Sequence, residues 1–118
     1  MPGLMVRLGS LIEEAGEAGL DREAMIVDPG FGMGKGWREN FQIMRHLEQL
    51  RGLGLPVLVG PSRKGMIGRV LGVDVHDRLE GSIALTTVCI AQGADVVRVH
   101  DVLELGRAAR MADAIVRG

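Results

Sequence analysis

Three times along the chain a glycine is followed, within a few residues, by a short aliphatic run. The segments are Ala18-Gly19-Leu20 before Met25-Ile26-Val27-Asp28, Leu53-Gly54-Leu55-Pro56 before Val57-Leu58-Val59-Gly60, and Gln92-Gly93-Ala94-Asp95 before Val96-Val97-Arg98-Val99. A glycine so placed can end a helix in a left-handed turn, and a β-branched run after it favours a strand. The glycines stand 35 and 39 residues apart, the length of one strand-plus-helix unit. The repeat predicts strands near residues 24–28, 57–60 and 96–99.

Helical patterns fill the intervals. Leu4, Leu8, Leu11, Ile12 and Ala15 make one apolar stripe at helical spacing; Trp37, Phe41, Met44 and Leu47, with Ile43 and Leu50, make a second. Ile83, Leu85, Val88, Cys89 and Ala91 fall in a helix apolar nearly all round, and Val102, Leu105, Ala109, Ala112 and Ile115 or Val116 mark a last one. A short helix is expected over Arg63 to Leu71, with Ser62 as its N-cap. Alternation of this kind predicts an α/β fold, a parallel sheet with helices outside it. Three short parallel strands make a poor independent domain, because parallel sheets are normally covered on both faces. A closed (β/α)8 TIM barrel takes about 250 residues, and this chain has 118. It reads as one segment, residues 1–118, forming the C-terminal part of such a barrel: a helix after an absent strand, then three βα units with flanking helices, an incomplete barrel.

The formal charge of -1, from 14 basic and 15 acidic residues, excludes a generally basic nucleic-acid coat protein but leaves room for a local anion site. One cysteine, Cys89, excludes a disulfide framework and a cysteine-rich zinc site, and fits a reducing, cytoplasmic compartment. The longest apolar stretch, Ile83 to Ala91, is broken by Thr86 and Thr87 and falls far short of the ~20 residues of a membrane span. The opening Met1-Pro2-Gly3-Leu4-Met5-Val6-Arg7 has no basic stretch leading into an apolar one, so no secretory leader is expected.

In parallel α/β folds ligands lie at the C-terminal ends of the strands, and here those ends carry three polar clusters. Asp28-Pro29-Gly30-Phe31-Gly32-Met33-Gly34-Lys35 is the first. Asp28 either caps its own loop or offers a carboxylate to paired N–H groups of a planar heterocycle. The glycines are not a phosphate loop: Pro29 and Gly36 break the Walker pattern, and Lys35 breaks the dinucleotide fingerprint. A flexible loop able to close over a ligand is left. In the second cluster, after Gly60, Ser62-Arg63-Lys64 opens a helix, where helix dipole and cations would attract a carboxylate or phosphate; the plainer reading is a solvated basic helix start. In the third, Arg98 and His100 share one side of their strand while Val97 and Val99 point to the other. An Arg with a His there suits a diphosphate; the alternative is an ion pair of Arg98 with Asp101 or Asp95. His46 and His76 read as surface residues, Cys89 as core packing, and no metal-ligand spacing occurs.

At these clusters the sequence resembles the dihydropteroate synthases of the pterin-binding barrel family. The matching stretches are Ile26-Val27-Asp28-Pro29-Gly30-Phe31-Gly32 with Gly34-Lys35, Asn40, Val57-Leu58-Val59-Gly60 with Ser62-Arg63-Lys64, Arg78-Leu79-Glu80-Gly81-Ser82, and Gly93-Ala94-Asp95 with Arg98-Val99-His100-Asp101. They cover nearly the whole chain in the family's order. The resemblance implies condensation of 4-aminobenzoate with 6-hydroxymethyl-7,8-dihydropterin diphosphate in folate biosynthesis, with loss of diphosphate. It implies that Asp28 binds the pterin ring, that Lys64 hydrogen-bonds the pterin and helps close the site, and that Gly60 lines the pterin pocket. Ser62 and Arg63 would lie near the aminobenzoate, and Arg98 and His100 would hold the diphosphate, so Lys64, Arg98 and His100 would carry the catalysis. Met33 replaces an aromatic often found in that loop, which puts ring stacking there in doubt, and Pro61 lies where the family varies.

The family also implies Mg²⁺, met by an Asn of its first strands, together with another Asp and Asn on the pterin and two mobile loops; none of these is in the present residues. The chain is therefore expected to be a truncated piece that is inactive alone, from an enzyme that is a homodimer at full length, or one part of a two-chain assembly with a complementary N-terminal half. A methyltransferase relative binding methyltetrahydrofolate and a non-catalytic half-barrel that binds or assembles are the competing readings. Ser62-Arg63-Lys64 together with Arg98 and His100 argue against the methyltransferase, because methyl transfer needs no diphosphate clamp.

Overall fold

A computed structural model describes residues 1–32 and 34–118, so the expectation about Met33 lies outside the described residues. The elements, in chain order, are α1 (Pro2–Glu17), a 3-10 turn (Arg22–Ala24), α2 (Trp37–Arg45), a 3-10 helix (Leu47–Leu53), β1 (Leu58–Val59), α3 (Gly65–Leu71), α4 (Leu79–Ala91), β2 (Val96–Val97) and α5 (Val102–Val116). All three repeated glycines end their helices left-handed, as expected, with Gly54 (φ 76°) closing the 3-10 helix. Gly19 (φ 102°) and Gly93 (φ 103°) follow α1 and α4 in left-handed conformations. At each end two backbone bonds close the turn: Gly19 N–H to Gly16 O and Leu20 N–H to Ala15 O, then Gly93 N–H to Ile90 O and Ala94 N–H to Cys89 O. These crossed bonds satisfy carbonyls that the helix leaves without partners and turn the chain toward the sheet.

β1 and β2 run parallel, with Leu58 opposite Val96 and Val59 opposite Val97. The expected strand at 24–28 is present only as a single parallel bridge, Val27 to Val57. Its hydrogen bonds run from Val27 N–H to Pro56 O (2.9 Å) and from Leu58 N–H to Val27 O (2.8 Å). Two local causes shorten it. The Asp21 carboxylate accepts from Glu23 N–H and draws residues 22–24 into a 3-10 turn. Beyond Val27 no further strand pairs among the described residues, so the ladder grows from one side only. The second helical stripe is also divided, because the chain leaves the α conformation at His46 (φ −121°). Leu47 and Leu50 then fall three apart in a 3-10 helix, whose period places both on one side, and both are buried.

Strand pleating sorts the residues by face. Val27, Val57 and Val59 are buried against the helices together with Ile43, Met44, Leu47, Leu50 and Cys89, and Val97 packs onto this cluster. Ile26, Leu58 and Val96 point the other way; Ile26 is 53% and Val96 38% exposed. α4 lies mainly against α5. Its buried positions are Ser82, Thr86, Cys89 and Ile90, whereas Val88 faces solvent. Cys89 is core packing, and burial pushes its thiol pKa up to about 12. No helix among the described residues is long and apolar enough to cross a membrane.

The Gly93 turn gives a direct test of this arrangement. A Cβ there would lie 2.8 Å from Arg51 Cδ as well as forcing a side chain into φ 103°. Gly93→Ala is expected to cost about 1–2 kcal/mol of stability, read from the urea midpoint; an unchanged midpoint would contradict it.

Candidate functional site

Because the strand segments are parallel, Asp28, Gly60 and Arg98 all emerge at the same end of the sheet. Arg98 N–H donates to Val59 O (2.9 Å), which carries the ladder one residue past β2 and sets Arg98 beside Gly60. The guanidinium then lies across the Gly60 backbone: a Cβ on Gly60 would sit 2.7 Å from one Arg98 Nη and 3.1 Å from Cζ. Any other residue at position 60 would displace it. Neither anticipated acidic partner takes Arg98. Asp101 is held by Arg63, while Asp95 accepts from Val57 N–H (2.9 Å) and pairs with Arg117 (3.4 Å) and Arg51 (4.0 Å). Among the described residues no carboxylate lies within ion-pair distance of Arg98. Its side chain is exposed, so water serves it in place of a buried counter-charge.

The segment from Pro61 to Lys64 departs from expectation. α3 begins at Gly65, with Lys64 in the N-cap position and no side-chain cap, so Ser62 is not the N-cap and Arg63 is not helical. The physical reason is at Arg63, whose φ of 55° is left-handed and cannot belong to a right-handed helix. Such a conformation costs a non-glycine residue roughly 1–2 kcal/mol. Ser62 is engaged elsewhere: its Oγ lies 2.9 Å from His100 Nδ1 and accepts from His100 N–H at 3.2 Å. Arg63 donates through Nε (3.2 Å) and Nη2 (2.8 Å) to the two oxygens of Asp101. This fork raises the Arg63 pKa and holds the Asp101 carboxyl below its usual range; its hydrogen bonds are the largest cause, and partial burial opposes both shifts. Lys64 extends over the glycine loop, where a Cβ on Gly32 would touch its Cδ at 3.4 Å and its Nζ at 3.9 Å.

The glycine loop is anchored from within. Asp28 Oδ1 accepts from Gly30 N–H (2.8 Å), so one oxygen caps the loop as the plainer reading had it. Lys35 Nζ donates to Gly30 O (3.3 Å). Asn40 on α2, only 2% exposed, accepts from Gly32 N–H at 3.3 Å. A cleft of about 560 Å³ opens beside the loop, lined by Leu4, Arg7 and Leu8 of α1 together with Asp28, Gly30 and Lys35. Lys64, Arg98 and His100 do not line it. The polar residues thus occur as a chain of contacts along the sheet end: Gly32 with Lys64, Gly60 with Arg98, and Ser62 with His100.

Two members of this group were not singled out by sequence reasoning. Asp101 was weighed only as a partner for Arg98, and Ser82 was seen only within a motif; its Oγ accepts from Arg63 N–H at 2.9 Å. The signal for Ser82 is a serine at the start of a largely apolar helix, where it lies fully buried. Groups of three or more His, Cys, Asp or Glu able to hold a metal ion do not occur among the described residues.

The Arg63–Asp101 pair makes a pH test available. A carboxyl held below its ordinary value, about 4, contributes fully above that pH and loses the contribution as pH falls through the lowered folded value. Carboxyl ¹³C NMR of Asp101 is expected to show a midpoint below that of an unpaired aspartate, and Arg63→Gln to bring it back up. A midpoint at or above the ordinary value would contradict the pairing.

Comparison with known proteins identifies the family. Residues 5–100 match the family described as pterin binding enzyme. A dihydropteroate synthase of Clostridium beijerinckii is 47% identical over 118 residues, covering 99% of this chain and 44% of the relative. The crystal structure of Yersinia pestis dihydropteroate synthase superposes with a TM-score of 0.96 at 37% identity, over 100% of this chain and 56% of that one. The Clostridium difficile enzyme, crystallised in the presence of pteroic acid, gives a TM-score of 0.87 at 50% identity, over 91% of this chain and 41% of that one. The chain therefore spans less than half the length of the curated relative, and its fold matches part of the two crystallised dihydropteroate synthases. On the extent of these matches, the chain belongs to the pterin-binding enzyme family.

Proposed function

We propose that the chain carries the later βα units of a dihydropteroate synthase, and that its strand ends supply the diphosphate-holding part of that site. The reaction joins 4-aminobenzoate to 6-hydroxymethyl-7,8-dihydropterin diphosphate. The aryl amine forms a C–N bond to the exocyclic methylene, the C–O bond breaks with its electron pair going to the diphosphate, and the amine gives up a proton. The observation that carries this reading is Arg98: an exposed guanidinium with no acidic partner among the described residues, laid across a glycine at the end of parallel strands.

The other roles follow from position. Negative charge grows on the leaving diphosphate, so the Arg98 guanidinium and the neighbouring His100 would stabilise it as it departs. Asp28 keeps one oxygen on Gly30 N–H, and its second oxygen would accept an N–H of the pterin. Lys64, extended over Gly32, would donate to the pterin and hold the glycine loop down, and Gly60, whose missing side chain leaves space for the Arg98 guanidinium, would line the pterin pocket. Ser62 and Arg63 would face the aminobenzoate carboxylate. The Arg63 side chain is shared with Asp101, so its charge there is partly compensated. The Mg²⁺ that the family implies would help neutralise the diphosphate; the described residues form no metal-holding cluster of their own.

The uncovered sheet face with Ile26 and Val96, and the unpaired edge beyond Val27, fit a complementary N-terminal half that adds the earlier strands. Cys89 as an unpaired thiol suits a cytoplasmic enzyme. The experiment is an assay of the 118-residue chain with both substrates and Mg²⁺, with and without a chain carrying the earlier strands of the barrel. No turnover is expected alone and turnover is expected on mixing, with Arg98→Gln lowering kcat about 10²–10³-fold in the mixture. A lone chain working at the rate of the full-length enzyme, or an Arg98→Gln mixture at full rate, would overturn the proposal.

A further inference from the structure

Arg78 and Ser82 belong to a motif to which neither the sequence reading nor the proposed reaction gives a role. They lie at the start of α4, and both reach the turn before α3. Ser82 Oγ, fully buried, accepts from Arg63 N–H at 2.9 Å. Arg78 Nη1 donates to Arg63 O at 3.1 Å. The first bond fixes the peptide plane between Ser62 and Arg63; the second fixes the plane between Arg63 and Lys64. Arg63 is the one non-glycine residue at positive φ among the described residues, and it sits between those two planes.

Arg78 also fastens the other end of α3, since its Nε (3.4 Å) and Nη2 (3.3 Å) both donate to Val73 O. Its guanidinium passes where a Cβ on Gly68 would stand at 2.5 Å. One arginine thus bridges the turns on both sides of α3, in a passage only glycine leaves open. A strained backbone conformation persists only where its surroundings over-determine it, and here Ser82 and Arg78 from outside the turn add to its own bond from Lys64 N–H to Pro61 O (3.3 Å).

We infer that Arg78 and Ser82 are positioning residues: they hold Arg63 left-handed, and this conformation directs Ser62 to His100 and Lys64 over Gly32. The inference rests on the reaction proposed above only for the use made of Ser62, Lys64 and His100; the conformational part stands alone. Neither residue touches substrate in this scheme. With Ser82 unable to accept, Arg63 N–H would be buried without a partner, and the turn would relax toward an ordinary helical φ, carrying Ser62 off His100.

NMR on the 118-residue chain tests this without turnover. In the unsubstituted protein a short intraresidue HN–Hα contact at Arg63 is expected, as left-handed backbone requires; its absence overturns the inference before any variant is made. Ser82→Ala is expected to move the His100 imidazole ¹⁵N signals to where Ser62→Ala moves them. The double variant should shift them no further, while the signals of His46 and His76 stay in place. Unmoved His100 signals in a folded Ser82→Ala protein would overturn it; if circular dichroism shows that variant unfolded, Arg78→Gln is read by the same criterion. Titration with pteroic acid, carried out on the chain mixed with one carrying the earlier strands, separates the two proposals. Binding to the unsubstituted mixture, weakened about tenfold by Ser82→Ala, supports both. No binding to the unsubstituted mixture counts against the proposed function, while the His100 response still decides the role of Ser82.

Discussion

Residues 57–59 hold the rest of the chain in place, because their backbone is bonded on both sides. Val57 O accepts from Asp95 and Val96 N–H, Leu58 N–H donates to Val27 O, and Val59 O accepts from Arg98 N–H. The Asp95 carboxylate takes Val57 N–H at the start of the strand. With Val57 and Val59 almost wholly buried, none of these bonded backbone groups can be released without losing a partner that water would have to replace. The same ladder fixes which residues stand side by side at its far end. Gly60 beside Arg98 is a consequence of the register that pairs Leu58 with Val96.

What the sequence made legible is what local chemistry decides. Gly19 and Gly93 could be read as helix ends because few other residues tolerate a left-handed turn there, and both close crossed hydrogen bonds after their helices. The parallel strands after Gly54 and Gly93 followed from the same pattern. The strand at 24–28 shrank to one bridge because its length depends on a neighbour on its outer side, which no local signal reports. The split of the second helix at His46 was hidden too, since Leu47 and Leu50 fit an α-helical stripe and a 3-10 stripe equally well.

The site shows the same division. Asp28, Gly60, Arg98 and His100 were identifiable as polar or small residues directly after apolar runs, where strand polarity alone puts them at one end. Ser62 was misassigned as an N-cap because the residues that decide its conformation lie far along the chain. Arg63 is turned left-handed by bonds from Arg78 and Ser82, and its side chain is taken by Asp101, 38 residues on. A serine before a basic pair and an aliphatic helix is an ordinary capping pattern; only tertiary contacts tell it apart from this one. The pairing of Asp101, which the sequence offers with Asp95 only as an alternative partner for Arg98, is likewise decided by tertiary contacts. Its capture by Arg63 is what leaves the Arg98 guanidinium open to an anion.

The account turns on Arg98 and His100 acting on one anion at the sheet end. The most direct measurement is a titration of the 118-residue chain with inorganic diphosphate, following the Arg98 guanidinium Nε–H and the His100 ring by ¹⁵N–¹H NMR. The account requires both sets of signals to move together along one binding curve, with those of Arg117, already paired with Asp95 and Asp113, unmoved. Shifts spread over all arginines alike, or Arg98 and His100 responding with different midpoints, would contradict a common site.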